Sequence, residues 1–129
     1  MVATRGGTTM DAILLIAHGS RLAEANDDLR RVAEMLRERG HPLVVAAYLE
    51  LAEPGMVEGG RECVARGATR VAMAPWFLSA GTHVRRDLSA ARDALAREFP
   101  AVAFVLAEPL GTHGKMVDVV EERVRAARG

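Results

Sequence analysis

The strongest constraint on this chain is a fourfold alternation in which a short apolar run is followed by a turn and then by a stretch with helical periodicity. The runs Ile13-Leu14-Leu15-Ile16-Ala17 and Val71-Ala72-Met73-Ala74-Pro75 lack polar alternation, as strands buried on both faces of a parallel sheet do. Strands are expected over residues 12–17, 43–49, 70–75 and 102–107. Between the first two, Leu22, Ala25, Leu29, Val32, Ala33 and Leu36 form one stripe of a helix over residues 22–39, with Gly40 as its stop. Pro54 is expected just inside the second helix, where its missing N–H is harmless, and that helix ends near Gly67. Val84, Leu88, Ala91 and Leu95 mark the third helix, which ends before Pro100, and Met116, Val119, Val120 and Val124 mark the fourth. Four βα units with short links and right-handed crossovers imply one α/β domain. It is a three-layer, flavodoxin-like domain whose four-stranded parallel sheet has the order 2-1-3-4, with helices on both faces. It is expected over residues 12–129, after a flexible N-terminal tail of residues 1–11.

Composition narrows the class. At 129 residues, 50% hydrophobic, the chain can bury a core of its own. Its 17 basic and 17 acidic residues cancel, and 4% aromatic content leaves little surface for stacking bases, so nucleic acid is not an expected partner. The single cysteine, Cys63, excludes an intramolecular disulfide and a multi-cysteine metal cluster; between Gly60 and Val64 it reads as a small buried hydrophobe. Residues 1–11 contain one arginine but no apolar h-region, and no run approaches the ~18 residues of a membrane span. A cytoplasmic protein with no membrane partner is the expectation. No G-x-G-x-x-G or G-x-x-x-x-G-K-[ST] follows any strand, so no nucleotide is expected either.

In a 2-1-3-4 sheet, strands one and three are neighbours whose connections leave in opposite directions, and ligands bind in the crevice above their carboxyl ends. His18 and His83 both fall there, on loops above strands about 4.8 Å apart. Glu50 follows strand two and His113 follows strand four, on the same edge. His41 precedes strand two and belongs to the opposite edge, which makes it an internal control. Ser20 is expected to cap the first helix, Gly81-Thr82 to form the corresponding turn and cap of the third, and Glu53 to favour the start of the second. Arg21, Arg85, Arg86 and Lys115 border the crevice and suit acidic groups on a ligand. Neutral imidazole suits iron, cobalt, nickel and zinc, and imidazole and carboxylate both accept protons near neutrality. Metal insertion into a tetrapyrrole needs that combination.

Four segments carry a family resemblance: His18-Gly19-Ser20-Arg21 at the first strand end; Tyr48-Leu49-Glu50-Leu51-Ala52-Glu53-Pro54; the stretch from Pro75-Trp76-Phe77 through Gly81-Thr82-His83 to Leu88; and Glu108-Pro109-Leu110-Gly111-Thr112-His113. In this order and spacing the chain resembles the short, single-domain form of the class II sirohydrochlorin chelatases, the cobaltochelatase and ferrochelatase family of cobalamin and sirohaem synthesis, over about residues 12–127. The resemblance implies that His18 and His83 bind the metal and accept protons, with Glu50 assisting. It implies that Ser20, Arg21, Gly81, Thr82, Arg85 and His113 contact the tetrapyrrole. It further implies a divalent metal as substrate (Co2+ or Fe2+, with Ni2+ also accommodated), no nucleotide cofactor, and a homodimer that builds from two copies the cleft longer relatives build from two joined domains. Gly114 stands where the family often has proline, and Tyr48 where phenylalanine is common. Two other readings stand beside this one, the first of which uses the same histidines. A non-catalytic metal or tetrapyrrole carrier would hold its ligand without turnover, and a phosphoryl- or sugar-binding module would be indifferent to loss of His83.

Overall fold

The computed structural model describes residues 8–129, so residues 1–7 of the expected tail lie outside it. The elements alternate as β1 (Asp11–Ala17), α1 (Ala23–Glu38), β2 (Val44–Tyr48), α2 (Met56–Ala65), β3 (Arg70–Pro75), α3 (Thr82–Glu98), β4 (Ala103–Leu106) and α4 (Gly114–Arg128). All strands are parallel, in the order β2-β1-β3-β4. The sheet starts slightly earlier than its apolar run: Met10 donates its N–H to Thr69 Oγ1 at 2.8 Å, and Asp11 pairs with Arg70 through bonds of 2.6 and 2.9 Å. That guanidinium holds the Asp11 carboxyl below its ordinary range.

Alternation along the strands divides the interior in two. Ala12, Leu14 and Ile16 of β1, Val71 and Met73 of β3, and Phe104 of β4 face α2 and α3, where Cys63, Leu88, Ala91 and Leu95 complete the larger core. Leu15, Val44 and Tyr48 face α1 and pack with Leu29 and Ala33. Helix α2 lies close to the sheet because Gly59 leaves room: a Cβ there would stand 2.8 Å from Leu14 Cδ1 and 2.9 Å from Ala47 Cβ. Burial pushes the Cys63 thiol up to about 11. Its thiolate, the form that reacts, is therefore scarce at neutral pH. Iodoacetamide at pH 8 should modify Cys63 only after the protein unfolds; rapid modification of the native protein would contradict this placement of α2.

Several local expectations change. Helix α1 starts after Leu22, which is 66% exposed, and its inward face contains Asn26 in place of Leu22 and Ala25. Ser20 does not cap the helix; its hydroxyl accepts the Leu22 N–H in the preceding turn. Pro54 lies outside α2, joined to Glu53 by a cis peptide bond, and Gly55 is the N-cap, which places Glu53 before the first turn. Gly81 caps α3 without any side-chain bond from Thr82. The largest difference concerns α4. Its apolar stripe is present in sequence, yet α4 buries no residue, so among the described residues one face of the sheet carries α1 alone.

Candidate active site

The carboxyl edge of the sheet is built by extending the β1–β2 ladder past the strands themselves. Leu49 N–H donates to Ala17 carbonyl and Glu50 N–H to His18 carbonyl, both at 3.0 Å, so these two backbones stay locked together as they leave the sheet. Gly19 and Leu51 then turn the loops, with φ of +99° and +66°. The Gly19 position admits no side chain, because a Cβ would lie 1.7 Å from the Glu50 carbonyl oxygen. These constraints bring His18 Nε2 to 3.0 Å from Glu50 Oε2, with the two side chains 56% and 59% exposed. An ionised carboxylate only accepts, so the contact places the imidazole proton on Nε2 and leaves the lone pair on Nδ1. An oriented, solvent-facing imidazole with a carboxylate behind it is the result.

A buried asparagine holds the histidine loop from below. Asn26 Oδ1 accepts the Ser20 N–H at 3.0 Å, its Nδ2 donates to the Ser20 carbonyl at 2.8 Å, and its own carbonyl accepts the Tyr48 hydroxyl at 2.7 Å. Sequence reasoning missed it, since a polar residue on an inward helix face resembles a flaw in the stripe. Asn26→Ala should cost about 1–3 kcal/mol by leaving the Ser20 amide groups without partners. Asn26→Asp, which can accept but not donate, should fall between. Chemical denaturation of the three proteins tests this order, and equal midpoints would refute it.

His83 is the second residue of α3, exposed on the same edge. The structure joins His18 to Glu50 but gives neither a hydrogen bond to His83, and among the described residues no three His, Cys, Asp or Glu side chains converge in metal-ligating geometry. Arg85, one turn along α3, donates from Nε to the Ala80 carbonyl at 3.1 Å and reaches Glu108 at 3.8 Å. It lines an open depression of about 330 Å³ with Ser89, Arg92 and Glu108. Arg21 is exposed beyond the histidine loop. His113 is the N-cap of α4, its Nδ1 accepting the Lys115 N–H at 3.0 Å, so one of its ring nitrogens is already engaged. Leu51 and Leu78, 53% and 66% exposed, add apolar surface that was not anticipated from the sequence. His41 lies at the amino edge beside Asp11 and Arg70, as expected of the control.

A doubly wound sheet with an oriented imidazole at the end of β1 and a second one at the start of α3 has these groups on the switch-point edge, where α/β proteins of this class bind their ligands. The chain belongs to the CbiX family, whose profile matches residues 12–127. It is 37% identical over 116 residues to the chloroplastic sirohydrochlorin ferrochelatase of Arabidopsis thaliana, covering 89% of this chain and 52% of that one. It is 31% identical over 118 residues to the sirohydrochlorin cobaltochelatase of Sulfolobus acidocaldarius, covering 92% of this chain and 93% of the other. Among solved structures it resembles the sirohydrochlorin chelatase SirB of Bacillus subtilis subspecies spizizenii in complex with cobalt. The TM-score is 0.83 at 28% identity, over 92% of this chain and 51% of that one. The chain thus spans about half the length of the plant and Bacillus relatives and nearly all of the archaeal one.

Proposed function

We propose that this chain inserts a divalent metal, Co2+ or Fe2+ with Ni2+ also accommodated, into sirohydrochlorin without ATP. The observation that carries the reading is the exposed His18–Glu50 pair at 3.0 Å on the switch-point edge. His18 and His83 present the ion through neutral imidazole nitrogen. As the macrocycle nitrogens take the metal, the two pyrrole protons leave to imidazole or Glu50, so a dication enters and two protons depart. Leu51 and Leu78 offer apolar surface to the face of the disc, while Arg21 and Arg85 meet its carboxylates as charge-assisted bonds. Ser20, Gly81, Thr82 and His113 border the same surface. The catalytic unit comprises residues 12–129, and two copies form the cleft, since one sheet edge is narrow for a disc with carboxylates around its rim. A single buried thiol is in keeping with the reducing cytoplasm.

The test is incubation of purified protein with excess sirohydrochlorin and each metal, followed by absorption spectroscopy. Many metallated macrocycles per site support the chelatase, whereas a carrier stops at one. A protein that binds no macrocycle and is indifferent to loss of His83 would be the phosphoryl- or sugar-binding module instead.

A further inference from the structure

A second crevice opens on the carboxyl edge, one strand over from the switch point. Pro75 ends β3 and Leu106 ends β4, and there α3 and the β4–α4 link enclose the depression of about 330 Å³ that Arg85 lines. Arg85, Ser89 and Arg92 enter it from α3 at spacings of four and three, one stripe of the helix. Leu88, Leu106, Ala107 and Pro109 give it apolar walls, and Glu108 is the one carboxylate among the described residues that line it. Both guanidiniums are tied back through Nε, Arg85 to the Ala80 carbonyl and Arg92 to Asp93 Oδ1, each at 3.1 Å. Among the described residues their terminal nitrogens make no hydrogen bond: Arg85 Nη1 stands 3.8 Å from Glu108 Oε1, beyond hydrogen-bond length. Glu108 itself is 87% exposed and loosely held. A guanidinium fixed at Nε with its outer nitrogens open is preorganised for a carboxylate.

We propose that this depression is a subsite for one carboxylate arm of the macrocycle, with Arg85 at its mouth and Arg92 at its inner end, and that Glu108 is the counter-ion the arm displaces. The ligand's identity rests on the chelatase reading. His83 precedes Arg85 by two residues, about 3 Å along the helix axis, so a disc whose centre meets the metal beside His83 has its rim at this mouth. Ser89 offers a hydroxyl between the two guanidiniums. An arm held here stops the disc from turning about the metal. The subsite thereby selects macrocycles with acidic arms and fixes which rim groups meet the other loops of the edge.

Absorption titration with sirohydrochlorin in the absence of metal reads affinity, and insertion kinetics on the same proteins read KM and kcat. Arg92, with its side chain 37% exposed, can be changed without entering the core. Arg92→Gln should weaken affinity about tenfold, as loss of a charge-assisted bond does, with the kinetic effect on KM rather than kcat. Glu108→Gln should tighten affinity by roughly two- to fivefold, a gain that no loss of fold can produce. Arg92→Lys keeps the charge but not the planar fork, so it should remain weaker than wild type; full recovery with lysine would reduce the effect to net charge and overturn the subsite. Inorganic phosphate at constant ionic strength should not compete. Competition that disappears in Arg92→Gln would assign the depression to a free anion and overturn the arm. Wild-type affinity in both glutamine variants, with insertion intact, overturns the subsite and leaves the chelatase standing. Binding with the expected dependence but no turnover keeps the subsite and refutes the chelatase, and a wild type that binds no macrocycle overturns both.

Discussion

His18→Ala and His83→Ala will each lower metal insertion by at least ~10²-fold, the lower range for loss of a positioned acid–base group, while His41→Ala leaves it near wild type. The contrast follows from placement: His18 and His83 stand on the carboxyl edge, and His41 on the amino edge. Because the His18 side chain is 56% exposed, its removal should barely move the unfolding midpoint, so lost turnover cannot be attributed to lost fold. Glu50→Gln separates two roles. The amide oxygen can still accept the Nε2 proton and orient the ring, but it cannot take a pyrrole proton. If that variant retains full activity, Glu50 is an orienting residue only; if it falls as far as Glu50→Ala, proton acceptance dominates. Activity in His41→Ala as low as in His83→Ala would overturn the edge assignment.

Gly19→Ala should be the most damaging small substitution in the chain. Two penalties combine at this position: a φ of +99°, which side chains rarely tolerate, and a Cβ 1.7 Å from a backbone oxygen. Neither is relieved by a rotamer change, because the obstacle is the Glu50 carbonyl, itself part of the extended β1–β2 ladder. Together they should cost roughly 3–5 kcal/mol of stability. Any folded fraction should lose activity as well, since the shift that clears the clash separates Glu50 from His18. Denaturant titration and turnover on the same preparation read both effects, and wild-type values in each would refute the close approach. Gly40→Ala is the comparison: its φ is +100°, but a Cβ there meets nothing within 4 Å, so the backbone penalty acts alone.

Why was so much of this architecture legible in the sequence? The strands could be read because burial on both faces removes polar alternation, and strand order followed from connection handedness. The α3 stripe was legible for a similar reason: Leu88, Ala91 and Leu95 meet the larger core at helical spacing. The start of α1 was not, because apolar Leu22 carries no mark distinguishing an exposed residue before the helix from a buried one within it. Pro54 favoured a helix start on propensity alone, whereas the loop uses it in a cis turn. For the site, spacing placed His18 and Glu50 on one edge but could not give their contact. That depends on register, in which Ala17 pairs with Tyr48, and on two left-handed turns that only the folded backbone reveals. Asn26 escaped because its value lies in bonds that only the folded chain forms, two to the Ser20 backbone in the preceding loop and one to the Tyr48 hydroxyl on a neighbouring strand.

The unequal division of the interior has a consequence for motion. The larger core locks α2 and α3 against β1, β3 and β4, whereas α1 rests on a small cluster around Leu29, Ala33 and Tyr48. Segments with fewer buried contacts open at lower free energy and exchange their amides sooner, so α1 should form an opening unit distinct from the α2–α3 side. Asn26 belongs to that unit and grips Ser20, which ties the histidine loop to the looser half of the molecule. The His18 side of the proposed site is thus mounted on the smaller cluster, while His83 and Arg85 stand on α3, which the larger core holds. Opening of α1 would then move one side of the edge and leave the His83 side in place, and amide exchange equally slow in α1 and α3 would contradict this division.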